Sequence, residues 1–268
     1  MADVDLDWGP LHYEEVGAGD PVLLISGLNG LAAPWRAVAD ALAPRFRVIT
    51  HDHRGLGASG AWDGGCSVDQ IARDVLGLMD RLGLMDRLGL ARAHLVGHSL
   101  GGAVAQAIAA DHPERVARLM IYASWPGHDA YFERVMTARR EVLIGMGVEH
   151  FLRTRPVGIY PPRWIRDNDA ALRAGLPALL ANFVGMPTML RRIDTCLAHE
   201  RRSSLPRITA PTLVLGLDDD ASTPPHCSEE LAALIPRAGL RLLPYGGHNA
   251  DIVAPGEVAG CLGQFLDA

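Results

Sequence analysis

A serine flanked by two glycines stands in the stretch "LVGHSLGG" (95–102). A leucine- and valine-rich run leads into it, and a small-residue run, "LGGAVAQAIAADH", leaves it. The pattern Gly-x-Ser-x-Gly therefore falls at a strand-to-helix junction. Glycine weakens strands and helices alike, so Gly97 and Gly101 imply a bend too tight for side chains. Such a bend lifts the Ser99 hydroxyl above the sheet in a strained backbone conformation, as a nucleophile requires. The N–H of Leu100, first in the helix, can point at a developing oxyanion. The tripeptide spacing alone is a weak signal, and the strand before it and helix after it give it weight.

A serine hydroxyl attacks only when a base removes its proton, and the base needs a carboxylate to orient it. Among eleven histidines, His248 is set apart by its place after the final apolar run, "LRLLPYGGH", where Gly246 and Gly247 let the loop fold back. Three carboxylates, Asp218, Asp219 and Asp220, follow the run "TLVLG" (212–216). Asp129 is a further option, several residues past "YASWPG". A metal could be imagined at Asp218–Asp220 or at His51-Asp52-His53, but neither has a third ligand spaced nearby. His51 and His53 are read as structural, and no metal or organic cofactor is expected.

Positioning these groups calls for a parallel sheet. Short, continuously apolar runs at 22–26, 46–52, 93–97, 118–124 and 212–216 read as strands buried on both faces, and "LHYEEVG" (11–17) reads as an alternating strand. Helical patterns fall between them, around 35–43, 69–88, 100–111, 226–235 and 256–267. This is an α/β chain with helices on both sides of a mostly parallel sheet, whose ligands sit at the carboxyl ends of the strands. The rhythm breaks between 125 and 205, which has helix-like segments and no convincing strand. The division expected is a core of residues 1–124 and 206–268, with 125–205 a helical cap. The segment "LGLMDR" occurs at 76–81 and again at 82–87. Six residues are about 1.7 turns of helix, so the copy cannot keep an apolar face in register. It reads as a tandem duplication absorbed as a longer helix end or a bulge.

The composition is that of an ordinary globular protein, with 49% hydrophobic and 21% charged residues. A net charge of −6 with no basic block argues against a nucleic-acid partner. The acidic opening "MADVDLDWGP" lacks the pattern of a secretory signal, and no run approaches membrane-spanning length. Four scattered cysteines, Cys66, Cys196, Cys227 and Cys261, read as reduced thiols of a cytoplasmic protein. The partner expected is a small-molecule substrate. The sequence is silent on oligomeric state, and a homodimer is compatible with it.

From about residue 10 to 267 the chain resembles the α/β-hydrolase superfamily. The motifs, in the family's order, are "LLISGLNG" (23–30), "DHRGLGASG" (52–60), "LVGHSLGG", "HPERVARL" (112–119), "PTLVLGLDDDASTPP" (211–225) and "PYGGHNAD" (244–251). Within it the chain is most similar to the aminoacrylate/carbamate hydrolases of pyrimidine degradation, through "LLISGL", "YPPRWI" (160–165), "LRRID" (190–194), "CSEELAALIP" (227–236) and "PYGGH". Hydrolases of that type often carry Ala where this chain has Ser99, a departure that favours covalent chemistry here. The resemblance implies the chain order Ser, acid, His and puts Asp220 on the acid position, with Asp219 one register step away. It places the second oxyanion donor at the N–H of Leu28, with Ser26 where many relatives have His. It also implies that Asp52 and Arg54 hold the "DHRGLG" turn.

The function expected is that of a serine hydrolase cleaving a carboxylic ester or related acyl bond. Alternatives are an aminoacrylate/carbamate-type hydrolase, an enol-lactone or C–C bond hydrolase, and a non-catalytic sensor on the same fold. Candidate substrate-binding residues are Asn29, Trp125, Tyr160 and Trp164. Arg153, Arg155, Arg191 and Arg192 could clamp a substrate carboxylate, although a solvated helix face is the plainer reading of each.

Overall fold

The computed structural model describes residues 2–84 and 91–267. Eight strands form one sheet: β1 (Ala2–Leu6), β2 (Gly9–Val16), β3 (Asp20–Ile25), β4 (Phe46–His51), β5 (Ala93–His98), β6 (Val116–Tyr122), β7 (Thr212–Leu217) and β8 (Ala238–Leu243). Their spatial order is β1-β2-β4-β3-β5-β6-β7-β8. The first two strands run antiparallel to each other and β2 runs antiparallel to β4, while β3 to β8 are all parallel. The strand β1 was not expected, because "ADVDL" is acidic and half-exposed. It lies at the sheet's edge, where one polar face is tolerated.

The helices are α1 (Arg36–Leu42), α2 (Val68–Arg81), α3 (Leu100–Asp111), α4 (Ala130–Thr154), α5 (Pro162–Ala181), α6 (Met186–Leu197), α7 (Pro225–Leu234), α8 (Ala250–Val253) and α9 (Pro255–Asp267). The central strands are apolar on both faces because helices cover both. Leu23 and Ile25 of β3 pack under α2 and α3, whereas Val22 and Leu24 face α1 and α9, all four fully buried. Between β6 and β7 the described chain is helical, through α4, α5 and α6. No helix among the described residues is long and apolar enough to cross a membrane.

The first "LGLMDR" copy completes α2, which then stops. Gly83 takes φ +55°, its N–H bonds Asp80 O, and Leu84 N–H reaches back to Met79 O. This paired cap around a left-handed glycine ends a helix, so the repeat does not lengthen α2. The second half of the second copy, from residue 85 on, lies outside the described residues.

Candidate active site

The sheet delivers its chemistry-bearing residues where its parallel strands end. Ser99 joins β5 to α3 with φ +53° and ψ −118°, a region that non-glycine residues avoid. Its N–H donates to Tyr122 O at 2.9 Å, and its carbonyl accepts from Gly102 N–H at 2.8 Å and from Ser124 Oγ at 2.9 Å. The glycines allow this packing: a Cβ on Gly97 would lie 2.2 Å from Gly101 O, and one on Gly101 would lie 2.1 Å from Ile25 O.

Ser99 Oγ lies 2.9 Å from His248 Nε2, and His248 Nδ1 lies 2.8 Å from Asp220 Oδ2. The three side chains form one buried hydrogen-bonded chain across 149 and then 28 residues of sequence. Asp220 also accepts from the Ser222 N–H at 2.7 Å, the Thr223 N–H at 3.0 Å and the Thr223 hydroxyl at 2.8 Å. Burial works against ionising this carboxyl, but His248 and those N–H donors outweigh it and hold Asp220 below the ordinary carboxylate range. Asp219 does different work. It accepts from Gly246 N–H at 3.2 Å and Gly247 N–H at 2.8 Å, which fixes the loop that presents His248. Asp129 is remote from the chain: it caps α4 through Phe132 N–H at 2.8 Å and lies 3.4 Å from His226.

Sequence reasoning missed His98. Its Nε2 lies 2.8 Å from the His248 carbonyl, and its ring stacks on Tyr122 at 4.7 Å. Burial pushes His98 down to about 3, so the ring is neutral and its Nε2–H donates to that carbonyl. Asp251 was also missed. It lines the cavity in front of Ser99, accepts from Tyr122 Oη at 3.2 Å, and is pushed by burial up to about 6.

The loop after β3 brings Leu28 to the same cavity. Among the described residues neither the Leu28 nor the Leu100 N–H has a hydrogen-bond acceptor. The Leu28 carbonyl is held from α6, where Arg192 Nε donates to it at 2.6 Å and Arg192 Nη2 donates to Gly27 O at 3.2 Å. Ser26, in place of a histidine, donates its hydroxyl to Leu31 O at 2.5 Å. Asp52 pins the neighbouring turn by accepting from Ala32 N–H and Ala58 N–H, each at 2.8 Å. Arg54 turns away to pair with Asp74. His51 and His53 stack on each other at 5.1 Å, and His53 faces Arg192 at 3.0 Å.

The enclosed space beside Ser99 amounts to about 70 Å³. Asn29 lines it as expected, its amide oxygen accepting from Arg155 Nη1 at 2.9 Å. The three aromatic expectations are corrected. Trp125 is 1% exposed and stacks on Phe132 at 4.2 Å, so it supports the wall from behind. Trp164 faces another cleft, with Leu31, Leu172 and Phe183. Tyr160 packs against Trp164 with ring centroids 4.3 Å apart and sits near Arg155 without lining the cavity. Of the four arginines considered for a carboxylate clamp, Arg153 pairs with Glu149 at the surface, Arg191 bonds Thr188, Arg192 holds the Gly27 and Leu28 carbonyls, and Arg155 lines the cavity. Arg139, also missed, lines it too. A signal was present: Phe132, Met136 and Leu143 are buried on one face of α4, and Arg139 falls on that same helical stripe.

Comparison with known proteins follows the same lines. The profile of the α/β hydrolase fold matches residues 20–145. A protein of Azorhizobium caulinodans named "Putative carbamate hydrolase RutD" is 39% identical over 245 residues, covering 91% of this chain and 90% of that protein. One of the same name from Variovorax paradoxus is 38% identical and covers 96% of each chain. Among solved structures, the enol-lactonase of Burkholderia xenovorans LB400 superposes with a TM-score of 0.88 over 100% of both chains at 24% identity, which speaks to the fold.

Proposed function

Since this chain belongs to the α/β-hydrolase fold family, among relatives of the RutD type, we propose that it hydrolyses a carbamate- or ester-type bond in a small polar substrate, with Ser99 as nucleophile. The observation that carries this reading is the continuous chain Ser99 Oγ, His248, Asp220 at 2.9 and 2.8 Å. The names of the relatives and the small cavity, about 70 Å³, favour a carbamate over the long-chain esters that a general esterase accepts.

His248 Nε2 takes the Ser99 proton as Oγ attacks the carbonyl carbon. Asp220, on Nδ1–H, holds the tautomer and stabilises the imidazolium. The N–H groups of Leu28 and Leu100, free of other acceptors, receive the oxyanion, a contribution of about 3–4 kcal/mol per donor in comparable sites. Collapse breaks the bond to the leaving amine or alcohol, which takes the proton from His248. Water, deprotonated by the same ring, then releases the acyl or carbamoyl group from Ser99. The helices α4 to α6 act as the cap that encloses the substrate.

A fluorophosphonate probe tests the nucleophile. The protein should label at one site, the label should map to Ser99, and Ser99→Ala should abolish both labelling and carbamate or p-nitrophenyl ester turnover. Labelling that survives Ser99→Ala overturns the assignment. Labelling without turnover on either substrate class would leave the fold serving as a sensor.

A further inference from the structure

Two guanidinium groups face the cavity beside Ser99. Arg139 comes from α4, and Arg155 from the single turn that follows it. Both side chains are partly buried, and among the described residues neither pairs with a carboxylate. Arg139 donates to Ser222 Oγ at 2.7 Å and Gly158 O at 3.4 Å, and its Nη1 lies 3.9 Å from the Met136 sulfur. With its amide turned so that the oxygen faces Arg155, Asn29 accepts from Nη1 at 2.9 Å and Nη2 at 3.2 Å, and the Tyr160 side chain lies near enough to act electrostatically on the guanidinium. These neutral acceptors orient the forks without neutralising them. Burial lowers Arg139, and the nearby charge of Arg155 lowers it further.

Two like charges held together against Phe132, Met136 and Phe151 are costly to keep out of water unless something balances them. The one carboxylate among the cavity's described lining residues, Asp251, is engaged by the Tyr122 hydroxyl, and Asp220, behind the wall, by His248. Arg192 is spent on the Gly27 and Leu28 carbonyls. The balancing charge must come with the occupant.

We infer that Arg139 and Arg155 form a carboxylate-binding subsite that selects substrates carrying an acid group away from the scissile carbonyl. Planar guanidinium forks suit a planar carboxylate. Arg139 is bonded to Ser222, beside the acid Asp220, and Arg155 is bonded to Asn29, beside Leu28. A carboxylate held between them would fix the carbonyl relative to both the nucleophile and the oxyanion donors. The inference rests on the hydrolase reading for what is cleaved, but not for what is bound.

Two assays separate the parts. In the first, kcat/KM is compared for p-nitrophenyl hemisuccinate, whose acyl chain ends in a carboxylate, and p-nitrophenyl butyrate, which is neutral. Wild type should favour the hemisuccinate, and Arg139→Gln or Arg155→Gln should cut that preference about 10- to 100-fold, as expected for a charged hydrogen bond. Arg155→Lys, which keeps the charge and loses the fork, should fall between. A wild type that prefers the butyrate, or a preference unchanged in both glutamine variants, overturns the subsite. In the second assay, Ser99→Ala protein is melted with succinate, succinamide or inorganic phosphate. Succinate alone should raise Tm, and the added Arg139→Gln should abolish the rise. Phosphate stabilising more than succinate, or succinamide matching it, refutes a carboxylate site. Succinate binding without fluorophosphonate labelling of wild type would sink the nucleophile and leave the subsite standing.

Discussion

Ser99 and Arg139 line one cavity but belong to regions built on different terms. Ser99, Asp220 and His248 stand just past the carboxyl ends of β5, β7 and β8, and their backbones are tied to the sheet. Ser99 N–H bonds Tyr122 O of β6, and Asp220 N–H reaches Leu217 O at 3.3 Å. Arg139 and Arg155 stand on helices that touch the core mainly through side chains. In the first region one or two local backbone constraints decide where a side chain goes. In the second, placement depends on how three helices pack over a cavity. On the proposed function, the sheet fixes the chemistry and selectivity is left to the region that can be repacked without disturbing it.

The sharpest way to break that division is Asp220→Asn. The asparagine can keep accepting from Ser222 and Thr223 N–H, so the loop should hold. Its amide would instead face His248 Nδ1 and force the wrong tautomer. We expect kcat to fall on the order of 10⁴-fold, with Tm and the affinity of Ser99→Ala protein for succinate much less affected. A loss of binding as large as the loss of turnover would mean that the two regions are not separable.

Acid should act on both regions through buried histidines, His51 and His98 in the sheet and His199 just past α6. His51 and His199 are pushed by burial down to about 4, and His98 to about 3. Each is lower folded than the ordinary 6.5, so each contributes stability that is complete above pH 6.5 and is lost as pH falls toward 4. Each contribution is on the order of 3 kcal/mol. Asp251 has the opposite sign. Raised to about 6, it favours the fold as pH drops through that value and offsets about one histidine. Net stability should therefore fall steeply between pH 6.5 and 4, measured by urea melts at stepped pH. His51 and His98 lie on β4 and β5, so His51→Gln should flatten the curve. A flat profile in the parent protein would show that these rings are not held neutral in the fold.

How much of this was legible follows from the same contrast. Gly97, Gly101 and the apolar run before them announce the elbow, because a Cβ at either glycine would strike backbone at 2.2 Å or less. The glycine pair before His248 announces the base. The choice among Asp218, Asp219 and Asp220 was one of register, decided by resemblance. The structure gives the physical ground, with Asp219 occupied by Gly246 and Gly247 N–H and Asp220 facing His248. The cavity wall was not legible by residue type. Trp125 was chosen as the aromatic that opens the insertion, and Tyr160 and Trp164 as aromatics within it, yet none lines the cavity. An arginine at a buried helical position, with no acidic neighbour to absorb it, was the better guide.

The smallest effect we predict tests that last point. Trp164 packs on Tyr160 at 4.3 Å and otherwise faces the cleft shared with Leu172 and Phe183. Truncation to alanine removes contacts on the outer side of α5. Because the ring is only partly buried, the cost in stability should be about 1–2 kcal/mol, below the range for a fully buried tryptophan. Its link to the cavity runs through Tyr160, which acts electrostatically on Arg155. Turnover of p-nitrophenyl butyrate should therefore change less than about threefold, as for a surface contact, and any loss on the hemisuccinate should be larger than that on the butyrate. An equal, tenfold loss on both substrates would move Trp164 into the site itself, and the aromatic wall first read from the sequence would have to be restored.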